Sequence, residues 1–255
     1  MYPQNKKEKK EIDFIYGIRS LEEALDSGKP ISKVLIKKGQ NSDYIGSLIR
    51  KCREMDIPVQ LVPIEKLNSV TMKNHQGIVA FMSPVHYQKI EDIIPAVYEQ
   101  GNTPLILILD KVTDVRNFGA ICRTAECAGV HAVVFPSKGA AILNADAVKT
   151  SAGALLKIPV CRTDYLAGTI KFLKNSGLKI VGASEKSNTL LYSADFTTPV
   201  AIVMGAEDEG IEPEILNLCD ETVSIPLHGT IASLNVSVAA GILLFEAVRQ
   251  KTVVD

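Results

Sequence analysis

Val203–Ala247, VMGAEDEGIEPEILNLCDETVSIPLHGTIASLNVSVAAGILLFEA, decides the fold. It carries two apolar runs, each followed by a loop of small residues. The first run, Pro199–Met204, leads into Gly205-Ala206-Glu207-Asp208-Glu209-Gly210; the second, Thr222–Ile225, leads into Pro226-Leu227-His228-Gly229-Thr230-Ile231-Ala232-Ser233. From Leu234 to Val248 the spacing of Leu234, Val238, Gly241, Ile242 and Phe245 predicts a helix, with Ser233 at its N-cap. Two strand-to-loop junctions beside a helix N-terminus are the parts of a ligand pocket.

Upstream, the apolar run Leu105–Leu109 reads as a strand buried on both faces, ending in Asp110-Lys111-Val112-Thr113-Asp114-Val115-Arg116-Asn117-Phe118-Gly119. Helix Ala120–Ala128, strand Val130–Val134, helix Ala145–Leu155, helix Leu166–Asn175 and strand Lys179–Val181 follow. This alternation predicts an α/β fold, a mostly parallel sheet with helices on both faces. Residues 86–104, broken by Pro95, Gly101 and Pro104, read as a linker with a short helix at Ile90–Glu99. Residues 12–85 read as a small α/β unit: helices over Ile18–Leu25, Tyr44–Met55 and Ile64–Val70, strands at Val34–Ile36, Val59–Val62 and Ile78–Met82. His75, in Asn74-His75-Gln76-Gly77, reads first as a residue that hydrogen-bonds a turn and second as an RNA contact. Residues 1–11 read as a disordered basic tail.

Composition narrows the class. Hydrophobic content of 46% and charged content of 22% over 255 residues describe a globular chain. No apolar run reaches the roughly 18 residues a membrane span needs, and the N-terminus lacks a secretory apolar core, so no membrane partner is expected. Five scattered cysteines without a CxxC pair predict reduced thiols, a cytoplasmic location and no metal. Residues 1–88 carry 14 Lys/Arg against 10 Asp/Glu, and the remainder 14 against 19, so the basic excess lies in the first part.

Two common nucleotide loops are missing. No Gly-x-Gly-x-x-Gly follows a predicted strand, and Gly205 and Gly210 have P-loop spacing but are followed by Ile211-Glu212 rather than Lys-Ser/Thr. The acidic residues between those glycines repel a triphosphate. They suit an electropositive ligand such as the sulfonium of S-adenosylmethionine, or cap the following helix. Polar groups gather at predicted strand ends: Asn117 with Arg123, Glu207, and Ser233 with Asn235. Arg123 has two readings, a phosphate contact or an ion pair with Glu126.

Asn117-x-Gly119-(x)3-Arg123, Gly205-x-Glu207-x-x-Gly210 and Ser233-Leu234-Asn235-Val236-Ser237, in this order, resemble the three motifs of the SpoU (TrmH-like) family of RNA ribose 2′-O-methyltransferases. The resemblance covers residues 105–255. With NHQGIVA in the first unit it extends to the branch that modifies a guanosine ribose in large-subunit (23S) rRNA. It implies a trefoil-knotted, SPOUT-type domain over 105–255, an RNA substrate-binding domain over 12–85, and a homodimer with its active site near the subunit interface. It implies S-adenosylmethionine as cofactor, held by Gly205, Ile225, Leu227 and Leu234, and Asn117, Arg123, Glu207, Ser233 and Asn235 as the catalytic set. Arginine stays protonated in proteins, so Arg123 is expected to hold phosphate and stabilise developing negative charge, with Glu207 or a water taking the proton. Val115 stands where the family often has proline, and Asp208 where glycine is common; neither replaces a presumed catalytic side chain. A tRNA or another rRNA site as substrate, or a non-catalytic RNA-binding ribosome-assembly factor, are the competing readings.

Overall fold

The computed structural model describes residues 13–252. The expected tail at 1–11 lies outside them. The chain divides between Ser83 and Pro84 into two units.

The first unit is built from β1 (Phe14–Tyr16), α1 (Ile18–Asp26), β2 (Ile31–Lys37), α2 (Asp43–Glu54), β3 (Val59–Val62), α3 (Ile64–Asn68) and β4 (Ile78–Met82). Its sheet runs in the order β1-β4-β2-β3, with β2 and β3 parallel and the other pairs antiparallel. Alternation along β2 sends Val34 and Ile36 to one face, where Leu21 and Leu25 of α1 and Ile45, Leu48 and Cys52 of α2 pack on them. Leu35 points to the opposite face, with Val62, Leu67, Val79 and Phe81. Ser42 caps α2 by accepting from the Ile45 N–H at 3.2 Å. His75 is buried; its Nδ1 accepts from the Gly77 N–H and its Nε2 bonds Asn68 Oδ1, both at 3.0 Å. Its bonds are those of a turn residue.

The second unit contains β5 (Tyr87–Gln88), α4 (Ile90–Glu99), β6 (Leu105–Leu109), α5 (Val115–Cys127), β7 (Ala132–Pro136), α6 (Ala145–Thr150), β8 (Val160–Thr163), α7 (Leu166–Asn175), β9 (Lys179–Ala183), β10 (Val200–Met204), α8 (Pro213–Leu216), β11 (Glu221–Val223) and α9 (Val236–Thr252). The sheet order is β11-β9-β10-β6-β7-β8-β5, and every pair is parallel. Period-2 alternation in Leu105–Leu109 explains why all five residues are apolar. Leu105, Leu107 and Leu109 face a core with Phe118, Ile121, Leu243 and Leu244 of α5 and α9; Ile106 and Ile108 face a second core with Ile94, Ile170, Leu173 and Ile215. The chain winds from β6 through β7 and β8 in one direction, then restarts on the other side of β6 with β9 and β10. The reversal lies between β6 and β10, whose register is Leu105↔Val200 to Leu109↔Met204.

Four expectations are corrected. Residues 86–104 are not a linker: β5 pairs with β8, and α4 packs its Ile90, Ile93, Ile94 and Val97 into the second core. Helix α5 begins at Val115 rather than Ala120, because Asp114 accepts from the N–H groups of Arg116 at 2.9 Å and Asn117 at 2.7 Å. Helix α9 begins at Val236, and Asn235 rather than Ser233 caps it, accepting from the Ser237 N–H at 3.0 Å. Helix α6 stops at Thr150, and a separate 3₁₀ turn covers Ala154–Leu156.

Candidate active site at the sheet reversal

Ligands of open parallel sheets bind outside the carboxyl ends of the strands where the winding reverses. Here that place lies beyond Leu109 of β6 and Met204 of β10. After Met204 the chain makes a tight loop: the Ala206 N–H donates to Gly210 O at 3.1 Å and the Gly210 N–H to Ala206 O at 2.9 Å. The closure requires glycine at 205, where a Cβ would stand 2.1 Å from the Gly210 carbonyl carbon. The loop presents Glu207 toward the N-termini of α5 and α9.

Three segments far apart in sequence meet on that carboxylate. Glu207 Oε1 accepts from Asn117 Nδ2 at 3.0 Å, from Asn235 Nδ2 at 2.7 Å and from the Val236 N–H at 3.3 Å. Asn235 Nδ2 also donates to Asn117 Oδ1 at 3.1 Å. The Asn235 amide is oriented by its oxygen, which accepts from the Ser237 N–H and from Ser237 Oγ at 2.5 Å. Only an amide at 235 fulfils both tasks, capping α9 with its oxygen and donating to Glu207 with its nitrogen. The positive end of α9 adds to the stabilisation of the carboxylate. Glu207 Oε2 has no hydrogen-bond partner among the described residues.

Beside this cluster a cleft of about 640 Å³, its open mouth included, is lined by Gly205, Glu207, Ile225, Leu227, Ser233 and Leu234. All four expected cofactor contacts are in that lining. Ala183, Ser184 and Glu185 at the end of β9, and Val236, Ala239 and Leu243 on the inner side of α9, also line it. These the sequence reading missed. The end of β9 was findable, since a strand beside the reversal delivers its carboxyl end to the same cleft. The donor set fits S-adenosylmethionine: apolar Ile225, Leu227 and Leu234 suit a flat heteroaromatic ring, Glu185 and Glu207 suit cationic groups, and Ser184 and Ser233 offer hydroxyls.

Arg123 does not join the cluster. It is exposed on α5, six residues and about 120° around the helix from Asn117 at 100° per residue. The Glu126 pair does not form; that carboxylate lies 3.9 Å from Lys157 instead. Arg116, seven residues earlier, shares the exposed stripe with Arg123 and was not singled out from sequence. Gly119, the middle residue of the same motif, serves packing: a Cβ there would stand 2.8 Å from the Ala147 carbonyl oxygen of α6. Ser233 lines the cleft and is exposed, without a hydrogen bond to the cluster.

Comparison with known proteins gives the family. Residues 104–245 match the model of the SpoU rRNA Methylase family, and residues 14–88 match that of the RNA 2′-O ribose methyltransferase substrate-binding domain. The 23S rRNA (guanosine-2′-O-)-methyltransferases RlmB of Photorhabdus laumondii and of Escherichia coli K12 are each 39% identical over 242 residues, covering 94% of this chain and 99% of theirs. The structure of the SpoU methyltransferase AviRb from Streptomyces viridochromogenes in complex with AdoMet superposes with a TM-score of 0.60 at 25% identity, covering 94% of this chain and 90% of that one. The A. aeolicus TrmH/SpoU tRNA modifying enzyme superposes with a TM-score of 0.54 at 31% identity, covering 64% and 84%. With both family models matched in order and a cleft where the motifs converge, the chain belongs to the SpoU rRNA methylase family.

Proposed function

We infer that this protein transfers a methyl group from S-adenosylmethionine to the ribose 2′-OH of a guanosine in 23S rRNA. The observation that carries the reading is the convergence of Asn117, Glu207 and Asn235 at the mouth of the cleft. Bound there, S-adenosylmethionine supplies an electrophilic methyl on a cationic sulfur to a ribose 2′-oxygen. The protein's part is to position both reactants and take the hydroxyl proton. Glu207 Oε2 is the acceptor within this cluster, and the donors on Oε1 hold the carboxylate in one orientation. Gly205, Ile225, Leu227 and Leu234 hold the cofactor, and Ser233 orients ribose or cofactor. Arg123, with Arg116, holds RNA phosphate and stabilises developing alkoxide charge.

The reading includes a homodimer. Val238 and Phe245 are about half exposed, at 51% and 50%, and lie seven residues apart on one side of α9. Thr124 packs near Gly241, so the exposed α9 face adjoins α5, which carries Arg123. A dimer through this face brings Arg123 close to a partner's site. The trefoil knot, the RNA-binding role of the first unit and a cytoplasmic location belong to the same reading.

The test is a methyl-transfer assay with labelled S-adenosylmethionine and undermodified total RNA, followed by digestion and nucleoside separation. Label in 2′-O-methylguanosine from the large rRNA is the expected result. Label in tRNA overturns the substrate assignment. Absence of both label and cofactor binding overturns the enzymatic reading.

A further inference from the structure

In the first unit, α1 and α2 cover one face of the sheet, while among the described residues of that unit the other face carries the short α3 and the segment after it. Register sets Phe14, Phe81 and Lys33 in one row across β1, β4 and β2 of that second face, and Tyr16, Val79 and Leu35 in the next. Phe14 and Tyr16 are half-buried, with ring centroids 6.3 Å apart, and Phe14 stands 6.4 Å from Phe81. Lys33 Nζ lies 5.0 Å from the Phe81 centroid and Lys73 Nζ lies 5.7 Å from that of Tyr16. Burial and the nearby Lys66 ammonium lower the pKa of Lys33, so positive charges are crowded here. No carboxylate among the described residues forms an ion pair with Lys33, Lys66 or Lys73. Helix α3 itself contributes one carboxylate, Glu65.

We propose that this face is a docking platform for unpaired RNA, on which bases stack against Phe14 and Tyr16 while Lys33, Lys66 and Lys73 meet the phosphates. The inference rests on the RNA-directed reading above and adds the surface and the strandedness of what it binds. Aromatic rings accept any base face, and lysines without carboxylate partners satisfy the adjoining backbone charge. An ammonium held over a ring is exchangeable: an incoming base takes the ring, and the lysine moves to phosphate. A duplex keeps its bases stacked inside and cannot use the rings. The chain's own terminus is a poor occupant, since residues 1–12 carry four lysines against two glutamates, the sign of the face itself.

The test uses the full chain and two probes, a fluorescein-labelled 12-nucleotide single-stranded RNA of mixed sequence and the corresponding 12-base-pair duplex, with Kd read by anisotropy. Lys66→Gln with Lys73→Gln should flatten the plot of log Kd against log salt by about 1.4, about 0.7 for each phosphate no longer neutralised. Tyr16→Leu, which keeps an apolar residue, should weaken strand binding about tenfold. Arg50→Gln with Arg53→Gln, the same charge change on α2, should leave binding within about twofold. The chain has no tryptophan, so Phe14→Trp supplies a single reporter whose emission should be quenched by the strand. Equal weakening in both double variants, equal affinity for duplex and strand, unchanged tryptophan emission in the Phe14→Trp variant at saturating strand, or tighter binding after deletion of residues 2–12 would each overturn the platform. Methyl transfer to rRNA by the same wild-type preparation is recorded in parallel. Its absence counts against the functional reading; its presence with unchanged variant binding removes the platform alone.

Discussion

Asp110 and Glu212 are joined across 102 residues of chain: Asp110 Oδ2 accepts the Glu212 backbone N–H at 2.8 Å. Asp110 is 2% exposed, and Lys111 Nζ reaches Glu212 Oε1 at 2.5 Å beside it. The bond ties the loop carrying Glu207 to the segment that starts α5, so it sets the distance between two motifs. Asp110→Ala should cost about 1–3 kcal/mol of stability, the penalty of an unpaired buried donor, and lower turnover, whereas Asp110→Asn keeps an acceptor and should lose less. Burial raises the pKa of Asp110 above its ordinary 3.8. A raised carboxylate pKa means its stabilising contribution is present below the unfolded value and lost as pH rises through the folded one. The Tm advantage of the native protein over Asp110→Asn should therefore shrink as pH rises from about 4. An advantage that grows over that range would disprove the assignment.

Glu207→Gln keeps the size of the side chain and removes the proposed proton acceptor. Turnover should fall about 10²–10⁴-fold, the usual worth of a general base, a far larger loss than the accompanying change in cofactor affinity measured by calorimetry. Asn235→Asp should be as damaging for a different reason: it sets a second carboxylate where Glu207 Oε1 now receives an N–H at 2.7 Å. Near-native turnover in Glu207→Gln would shift proton removal to water.

At position 205 the prediction concerns the backbone. Gly205→Ala places a methyl 2.1 Å from Gly210, so the loop must open. Cofactor Kd should rise at least about tenfold, because a misplaced loop loses contacts that only a preorganised one makes. The melting temperature should drop by a few degrees, since the change lies in one surface loop. Titration calorimetry and a thermal scan decide it.

Arg123→Lys keeps the charge and removes the planar fork. Turnover on RNA should fall at least about tenfold with little effect on stability, because Arg123 is exposed and has no ion pair among the described residues. Arg116→Gln should raise the KM for RNA more than it lowers kcat. Near-full turnover in Arg123→Lys would mean that guanidinium geometry does not matter.

Much of this protein is written in local pattern. Leu105–Leu109 and Val200–Met204 are apolar at every position because a central parallel strand is buried on both faces, and that is visible without coordinates. Gly205 and Gly210, the Ser233–Ser237 run and Asn117 pointed to the candidate site, since each lies at a strand end or near a helix start, whereas Arg123 lies mid-helix and apart from the cluster. Short elements were less legible. Tyr87–Gln88 is too brief for a period to show and exists by pairing with Val160–Cys161. The helix expected from Ala120 onward starts at Val115, because Asp114 caps it from outside the apolar pattern, and the missing side chain of Gly119 serves the contact with Ala147.

What the sequence by itself determined is the class of fold and the order of the motifs, because these follow from side-chain period and from residues with special backbone or packing needs; it set the second unit to begin near residue 105, where the structure begins it at Pro84. What only the tertiary structure decided is which motif residues act together. Asn117, Glu207 and Asn235 meet through hydrogen bonds spanning 90, 28 and 118 residues, and Arg123 faces elsewhere although it shares a motif with Asn117. Such long-range bonds are set by how α5, the β10 loop and α9 pack at the sheet reversal, and no local propensity encodes that distance.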